Sequence, residues 1–258
     1  DLTLLDNKKV ELFPWWGIAP YKESLPMSAV FFKRSHVLSR LISGENLLVI
    51  APMRSFLIPV PDPDYIKSKV MHIKKGQEYD ISTFVSLLQG YGYLRVPKVT
   101  VKGEFAARGE VIDFFPPEGE HGVRVVFQYD EIEEIKIFNP LTQGSIEPIQ
   151  HINLYPLREV IFEKHTLENL KENLHALDLP GALIEEYIEG YTINPEAEGA
   201  ETFYPLCFTK TCSLLDYLSP ETLVYLSWTE KCDAQNKNIE KEYRELYKQA
   251  SADNKIYP

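Results

Sequence analysis

The stretch Gly103–Pro116, GEFAARGEVIDFFP, decides how the middle of this chain is interpreted. Extended backbone sends successive side chains to opposite faces. This alternation predicts that Phe105 lies in the core while Arg108 lies at the surface. An arginine on a rigid strand suits protein recognition. Its guanidinium is planar and always charged, and it loses only modest conformational entropy on docking. The alternative is an arginine that only pairs with a nearby carboxylate such as Glu104 or Glu110.

The sequence on either side of this stretch is typical of short strands joined by turns. Strands are predicted at Leu94–Val101, Glu104–Phe115, Val123–Tyr129, Glu131–Phe138 and His151–Tyr155. Earlier in the chain, Val70, Met71 and Ile73 indicate another strand. Asp80 can cap a following helix that Gly90 ends. The sequence therefore predicts a compact α+β domain with a mostly antiparallel sheet over residues 70–156.

The segments before and after this domain favour an α/β fold. Apolar residues recur at helical spacing from Met27 to Leu41, and the run Leu47–Ile50 is typical of a strand buried on both faces. The proline-rich tract Pro59–Asp64 should break both helix and strand, which places a domain junction shortly after it. Helices return after Pro156, with a second buried-strand pattern at Leu223–Leu226. We therefore expect residues 1–69 and 157–258 to form one α/β domain that residues 70–156 interrupt.

The composition indicates a globular protein with an acidic surface. Of the 258 residues, 44% are hydrophobic and 25% are charged. We expect a cytoplasmic protein, because the chain shows neither a signal peptide nor the roughly 18 successive apolar residues of a membrane span. The net charge is −11, and residues 159–258 carry nineteen acids against nine bases. This excess argues against autonomous binding to DNA or RNA, so a link to nucleic acid should run through a partner.

No sequence pattern for catalysis or cofactor binding is present. None of the 13 glycines precedes a lysine, so the phosphate-binding GxxxxGK[ST] loop is missing. The Asp130-Glu131 pair follows an apolar run, as in metal-holding strand ends, but surface turn acids are the simpler interpretation. The histidines lack metal-ligand spacing, and Cys207, Cys212 and Cys232 form no CxxC pair. We expect no catalytic residue, no cofactor and no metal site in this chain.

Gly103–Pro116 and the stretch VRVVFQYDEIEEIKIFNPLTQGSIEPIQHINLYP at 123–156 resemble a known domain. It is the domain that the excision-repair helicase UvrB and the bacterial transcription-repair coupling factor family, Mfd, share and use to bind UvrA. The stretches Leu12–Tyr21 and Ala200–Phe208 resemble the coupling factors rather than UvrB. The interval between Tyr21 and Leu47 is also too short for the DNA-clamping hairpin of UvrB.

The resemblance implies the amino-terminal, UvrB-like module of the coupling factors. Its fold would be an incomplete RecA-like α/β domain, like domain 1 of UvrB, split by the inserted α+β domain. UvrA would be the direct partner, and RNA polymerase and DNA would be partners through other domains of the full-length protein, which is an ATP-dependent translocase. No membrane partner is implied. The alternatives are the amino-terminal part of a UvrB-type repair helicase and an autonomous DNA-binding module.

The same resemblance assigns the site residues. The UvrA-contacting arginines of the family correspond to Arg95 and Arg108, thirteen residues apart. Phe115 is either an apolar anchor for UvrA or a core residue. The family pattern has a further arginine where this chain has Ala106, so Ala106→Arg is expected to strengthen UvrA binding.

Overall fold

The computed structural model describes residues 9–16, 28–117, 119–177, 179–195, 200–227 and 229–252. The strands are β1 Lys9–Leu12, β2 Leu47–Ile50, β3 Met71–Lys74, β4 Leu94–Arg95, β5 Glu104–Arg108, β6 Val111–Phe114, β7 Gly122–Gln128, β8 Glu131–Phe138, β9 Ser145–Ile149 and β10 His151–Leu154. The α-helices are α1 Ser28–Ile42, α2 Met53–Leu57, α3 Pro63–Ser68, α4 Ile81–Gly90, α5 Lys164–Ala176, α6 Gly181–Ile193 and α7 Thr229–Ala252. Two 3₁₀ helices span Ala200–Cys207 and Leu214–Tyr217.

A six-stranded sheet in the order β4-β5-β6-β7-β8-β9 forms the centre of the fold. Its neighbouring strands are antiparallel, except that β4 and β5 are parallel. The single strand predicted over Glu104–Phe115 is wrong, because the chain reverses between β5 and β6 with Gly109 at φ 59°. That left-handed backbone suits glycine, which has no Cβ to clash. The predicted strand Leu94–Val101 shortens to Leu94–Arg95, and β9 was not predicted.

One face of the sheet packs against α4 and forms the largest core cluster. Phe84 of α4 lies between Phe114 and Phe127, with ring centroids 6.3 and 5.7 Å away. The cap predicted for this helix is confirmed, since the Asp80 carboxylate accepts a 2.7 Å hydrogen bond from the amide of Thr83. The predicted mixed α/β class with a mostly antiparallel sheet is confirmed.

The segment before the predicted inserted domain differs from the sequence prediction in two places. Strands β1 and β2 do pair in parallel, but Ile50 is exposed, so the Leu47–Ile50 strand is not covered on both faces. Within the Pro59–Asp64 tract, Val60 bridges to Cys212 and Pro63 begins α3, so the tract does not end regular structure. Proline can do this because the first turn of a helix needs no amide donor.

The predicted strand Leu223–Leu226 is wrong. These residues lie in an irregular segment, and the Leu223 side chain is 91% exposed. An apolar run becomes a strand only where another strand offers its backbone groups, and no strand in the described ranges does so here. Apart from the isolated Cys212 bridge, the part of residues 157–252 that the structure describes is helical or irregular. The RecA-like split is therefore not confirmed, and the boundaries at residues 69 and 156 stay a prediction.

Helix α1 is bonded to the segment that follows β10. The buried Arg34 guanidinium pairs with the buried Glu159 carboxylate, and the Arg34 Nη2 to Glu159 Oε2 distance is 3.0 Å. Ser35 donates a 2.7 Å hydrogen bond to the carbonyl of Pro156, where the chain leaves β10. These contacts hold α1 against residues 156–159.

None of the described helices has both the length and the apolar content required to cross a bilayer.

Candidate partner-docking site

A row of aligned residues crosses β5, β6 and β7 on the sheet face opposite α4. The register pairs Ala106 with Asp113 and Asp113 with Arg124. Asp113 is fully buried, and Arg124 donates to both of its oxygens, with Nε to Oδ1 at 2.7 Å and Nη2 to Oδ2 at 2.9 Å. These hydrogen bonds raise the pKa of Arg124. Two donors therefore hold and neutralise a carboxylate that would be costly to bury alone.

Arg108 lies next to this pair at the end of β5. Its Nη2 donates to Asp113 Oδ2 at 2.5 Å, and its side chain is 50% exposed. The partner of Arg108 is therefore Asp113 rather than Glu104 or Glu110. Because Arg124 already neutralises Asp113, the group of three keeps one net positive charge. The outer donors of Arg108 face solvent and remain available for another acceptor.

Glu104, the acid in β5, has a structural role in the loop before it. Its Oε2 accepts hydrogen bonds from the amides of Thr100 and Val101, at 2.7 and 2.9 Å, and from the Thr100 hydroxyl at 3.1 Å. Partial burial acts to raise the pKa of Glu104, but these hydrogen bonds outweigh it and lower the pKa. The carboxylate thus fixes the loop and is not directed to Arg108.

Arg95 lies on the edge strand β4 and is exposed. No side chain in the ranges that the structure describes pairs with its guanidinium. It pairs in register with Phe105, and the amide of Val96 donates to the carbonyl of Phe105 at 2.8 Å. Paired residues share a face and successive residues alternate. Arg95 therefore lies on the α4 face and Arg108 on the opposite face, on either side of the β4 edge.

The structure places Phe115 and Ala106 in a small core cluster rather than at the surface. Both pack with Val99 and Phe138, and Phe115 is only 7% exposed. This favours the core interpretation of Phe115 that the sequence left open. The alternation in β5 places Ala106 on the face of Arg108 as predicted, but Ala106 is buried in a cluster with Val96, Val99 and Phe138. An arginine at Ala106 would have to displace this packing, so the stronger binding expected of Ala106→Arg is no longer expected.

The segment 94–108 is basic within an acidic protein. It contains four basic residues, Arg95, Lys98, Lys102 and Arg108, against the single acid Glu104, while the whole chain has a net charge of −11. Such a local reversal attracts a partner surface that carries carboxylates.

Of the acid pair considered for metal binding, Asp130 lies in a tight turn and Glu131 begins β8. Asp130 sits between β7 and β8, and its carbonyl accepts a 2.7 Å hydrogen bond from the amide of Tyr79. Among the described residues, no group of three His, Cys, Asp or Glu side chains is arranged to hold a metal ion. Of the cysteines, Cys207 and Cys212 are buried, and no disulfide joins any of the three.

A family model matches the segment of the chain that contains the six-stranded sheet. Residues 71–159 match the family model of the UvrB interaction domain. The matched range contains Arg95, Arg108, Asp113 and Arg124, and its bounds lie close to the predicted domain. The resemblance inferred from the sequence, to the UvrB-like module of transcription-repair coupling factors, is confirmed.

Three relatives that align with more than half of the chain are transcription-repair-coupling factors. A transcription-repair-coupling factor of Haemophilus influenzae is 28% identical over 98% of this chain, and one of Bacillus subtilis is 28% identical over 99%. The Escherichia coli transcription-repair-coupling factor is 28% identical over 59% of the chain. The chain spans 22% and 23% of the length of the first two relatives and 13% of the third.

Proposed function

We propose that this chain is the UvrA-recruiting module of a transcription-repair coupling factor, acting as an adaptor that links stalled RNA polymerase to nucleotide excision repair. Its direct partner is UvrA. RNA polymerase and DNA are reached through other parts of the full-length protein, in which ATP-driven translocation also resides. The observation that carries the proposal is the basic β4–β5 edge within the matched domain, where Arg95 and Arg108 are both exposed.

The two arginines contribute in different ways. Arg95 is exposed and has no side-chain partner in the described part of the chain, so its side chain has more freedom to lose when UvrA binds. Arg108 is already oriented by Asp113, so less entropy is lost when its outer donors are used. Each is expected to act as a hot spot worth roughly 2 kcal/mol, which corresponds to about a 30-fold change in Kd.

The test is the affinity of this chain for purified UvrA, measured by isothermal titration calorimetry. Arg95→Glu and Arg108→Ala should each weaken binding about 30-fold, and the double variant should abolish it. Arg244→Glu is the matched control, because Arg244 is an exposed arginine on α7 whose side chain is 74% accessible. Unchanged affinity in a folded Arg95→Glu, Arg108→Ala double variant would contradict the assignment.

A further inference from the structure

The basic edge also carries two exposed apolar side chains. Leu94 is 65% exposed and Val101 is 57% exposed. Leu94 precedes Arg95 on β4 and pairs in register with Glu104. Glu104 also holds the amide of Val101, and the Glu104 amide donates to the carbonyl of Val101 at 3.3 Å. Both apolar residues are therefore held next to Glu104 of β5, Leu94 through the strand register and Val101 through hydrogen bonds.

Single exposed leucines and valines are common on protein surfaces and need no explanation. Here three further features distinguish the pair. Both residues belong to the basic segment 94–108, which also carries Arg95 and Arg108. Phe115, the residue that the sequence offered as the apolar anchor, is buried. The proposed UvrA surface would otherwise consist of charges alone, whereas protein interfaces typically concentrate their energy in an apolar centre with a polar rim.

The loop that carries Val101 is held rigidly at several points. The side-chain amide of Gln143 donates a 3.0 Å hydrogen bond to the carbonyl of Val99, and Lys102 Nζ donates to the carbonyl of Pro117 at 3.0 Å. Glu104 fixes the two residues between them. A loop fixed in this way presents an apolar side chain to a partner at a small entropic cost.

The two edge strands of the sheet differ in whether a partner strand could pair with them. The β9 edge contains Pro148, which lacks an amide donor and blocks strand addition. The β4 edge has no proline within the strand, and its two arginine sites lie on opposite faces. A partner that contacts both arginines must therefore straddle the β4 edge rather than lie flat on one face.

We propose that Leu94 and Val101 form the apolar centre of the docking surface, and that the partner contacts both faces of the sheet at the β4 edge. This inference rests on the proposed function, so the partner is the UvrA surface that binds Arg95 and Arg108. That surface should present an apolar pocket flanked by carboxylates.

The experiment measures the Kd of this chain for UvrA in Leu94→Ser, Val101→Ser and the double variant, at 50 and 200 mM salt. Leu223→Ser is the matched control, since Leu223 is more exposed and lies outside the sheet. We expect about a tenfold weaker Kd for Leu94→Ser, a larger loss for the double variant and no change for the control. The loss should be equal at both salt concentrations, because it is apolar, whereas the loss in Arg108→Ala should shrink at high salt.

The outcomes separate the two proposals. If Arg95→Glu weakens binding while the folded Leu94→Ser, Val101→Ser double variant binds like the unmodified chain, the apolar centre is wrong and the proposed function stands. If the unmodified chain does not bind UvrA, the proposed function fails and this inference fails with it. Unchanged melting temperatures confirm that the serine variants are folded.

Discussion

Replacing Arg124 with methionine removes the bidentate partner of a fully buried carboxylate. Asp113 is 0% exposed and would keep only one hydrogen bond from the half-exposed Arg108. Breaking a buried ion pair on one side typically costs about 3 to 5 kcal/mol. We expect about 3 kcal/mol, the lower end, because Arg108 still compensates part of the charge.

The same substitution at Arg108 should have a much smaller effect on stability. Arg108→Met leaves Arg124 bonded to both oxygens of Asp113 and removes a contact that is half in solvent. Partly exposed ion pairs contribute at most about 1 kcal/mol. Methionine keeps much of the length of the arginine side chain, so the two variants are matched in chemistry and differ in burial.

The assay is urea denaturation at pH 7, which yields the free energy of unfolding for each variant. The Asp113→Asn, Arg124→Met double variant should be more stable than Arg124→Met, because it no longer buries an ionised carboxylate. Arg108→Met should impair UvrA binding at nearly unchanged stability. Equal free-energy losses in the two methionine variants would refute the assignment of Arg124 to stability and Arg108 to docking.

Three further predictions concern glycine packing, thiol reactivity and nucleotide. Gly103→Ala should destabilise by at least about 1 kcal/mol more than Gly109→Ala in the same denaturation assay. Both glycines have positive φ, but only at Gly103 would a Cβ meet an aromatic ring, at 3.0 Å, and equal losses would contradict this. Burial raises the pKa of Cys207 to about 12, so at pH 8 a disulfide reagent should label the half-buried Cys232 first and Cys207 only on unfolding. Millimolar Mg-ATP should leave the melting temperature unchanged, whereas a bound ligand at 100 times its Kd adds about 2.7 kcal/mol. A rise of several degrees that Asp130→Ala removes would disprove this.

Local features of this chain could be predicted from sequence because they depend on neighbouring residues. Asp80 caps α4 through an amide three residues away, and the alternation in β5 directs Phe105 and Ala106 to opposite faces. These outcomes follow from backbone geometry over a few residues, and so does the strand β8, whose predicted bounds are confirmed.

Other features depend on which distant residues the fold brings together. The sequence offered Glu104 and Glu110 as partners for Arg108, but strand register brings Asp113 to it instead. The burial of Phe115 likewise required Phe138, which reaches this face through the six-stranded sheet.

Leu223–Leu226 has the composition of a buried strand, yet the described chain provides no neighbouring strand to pair with it. The sequence alone thus determined the cap of α4, the bounds of β8 and the face on which Arg108 lies, since these follow from short-range backbone geometry. The partner of Arg108 and the core position of Phe115 were decided by tertiary structure, because burial and cross-strand pairing depend on contacts between segments that are distant in the chain.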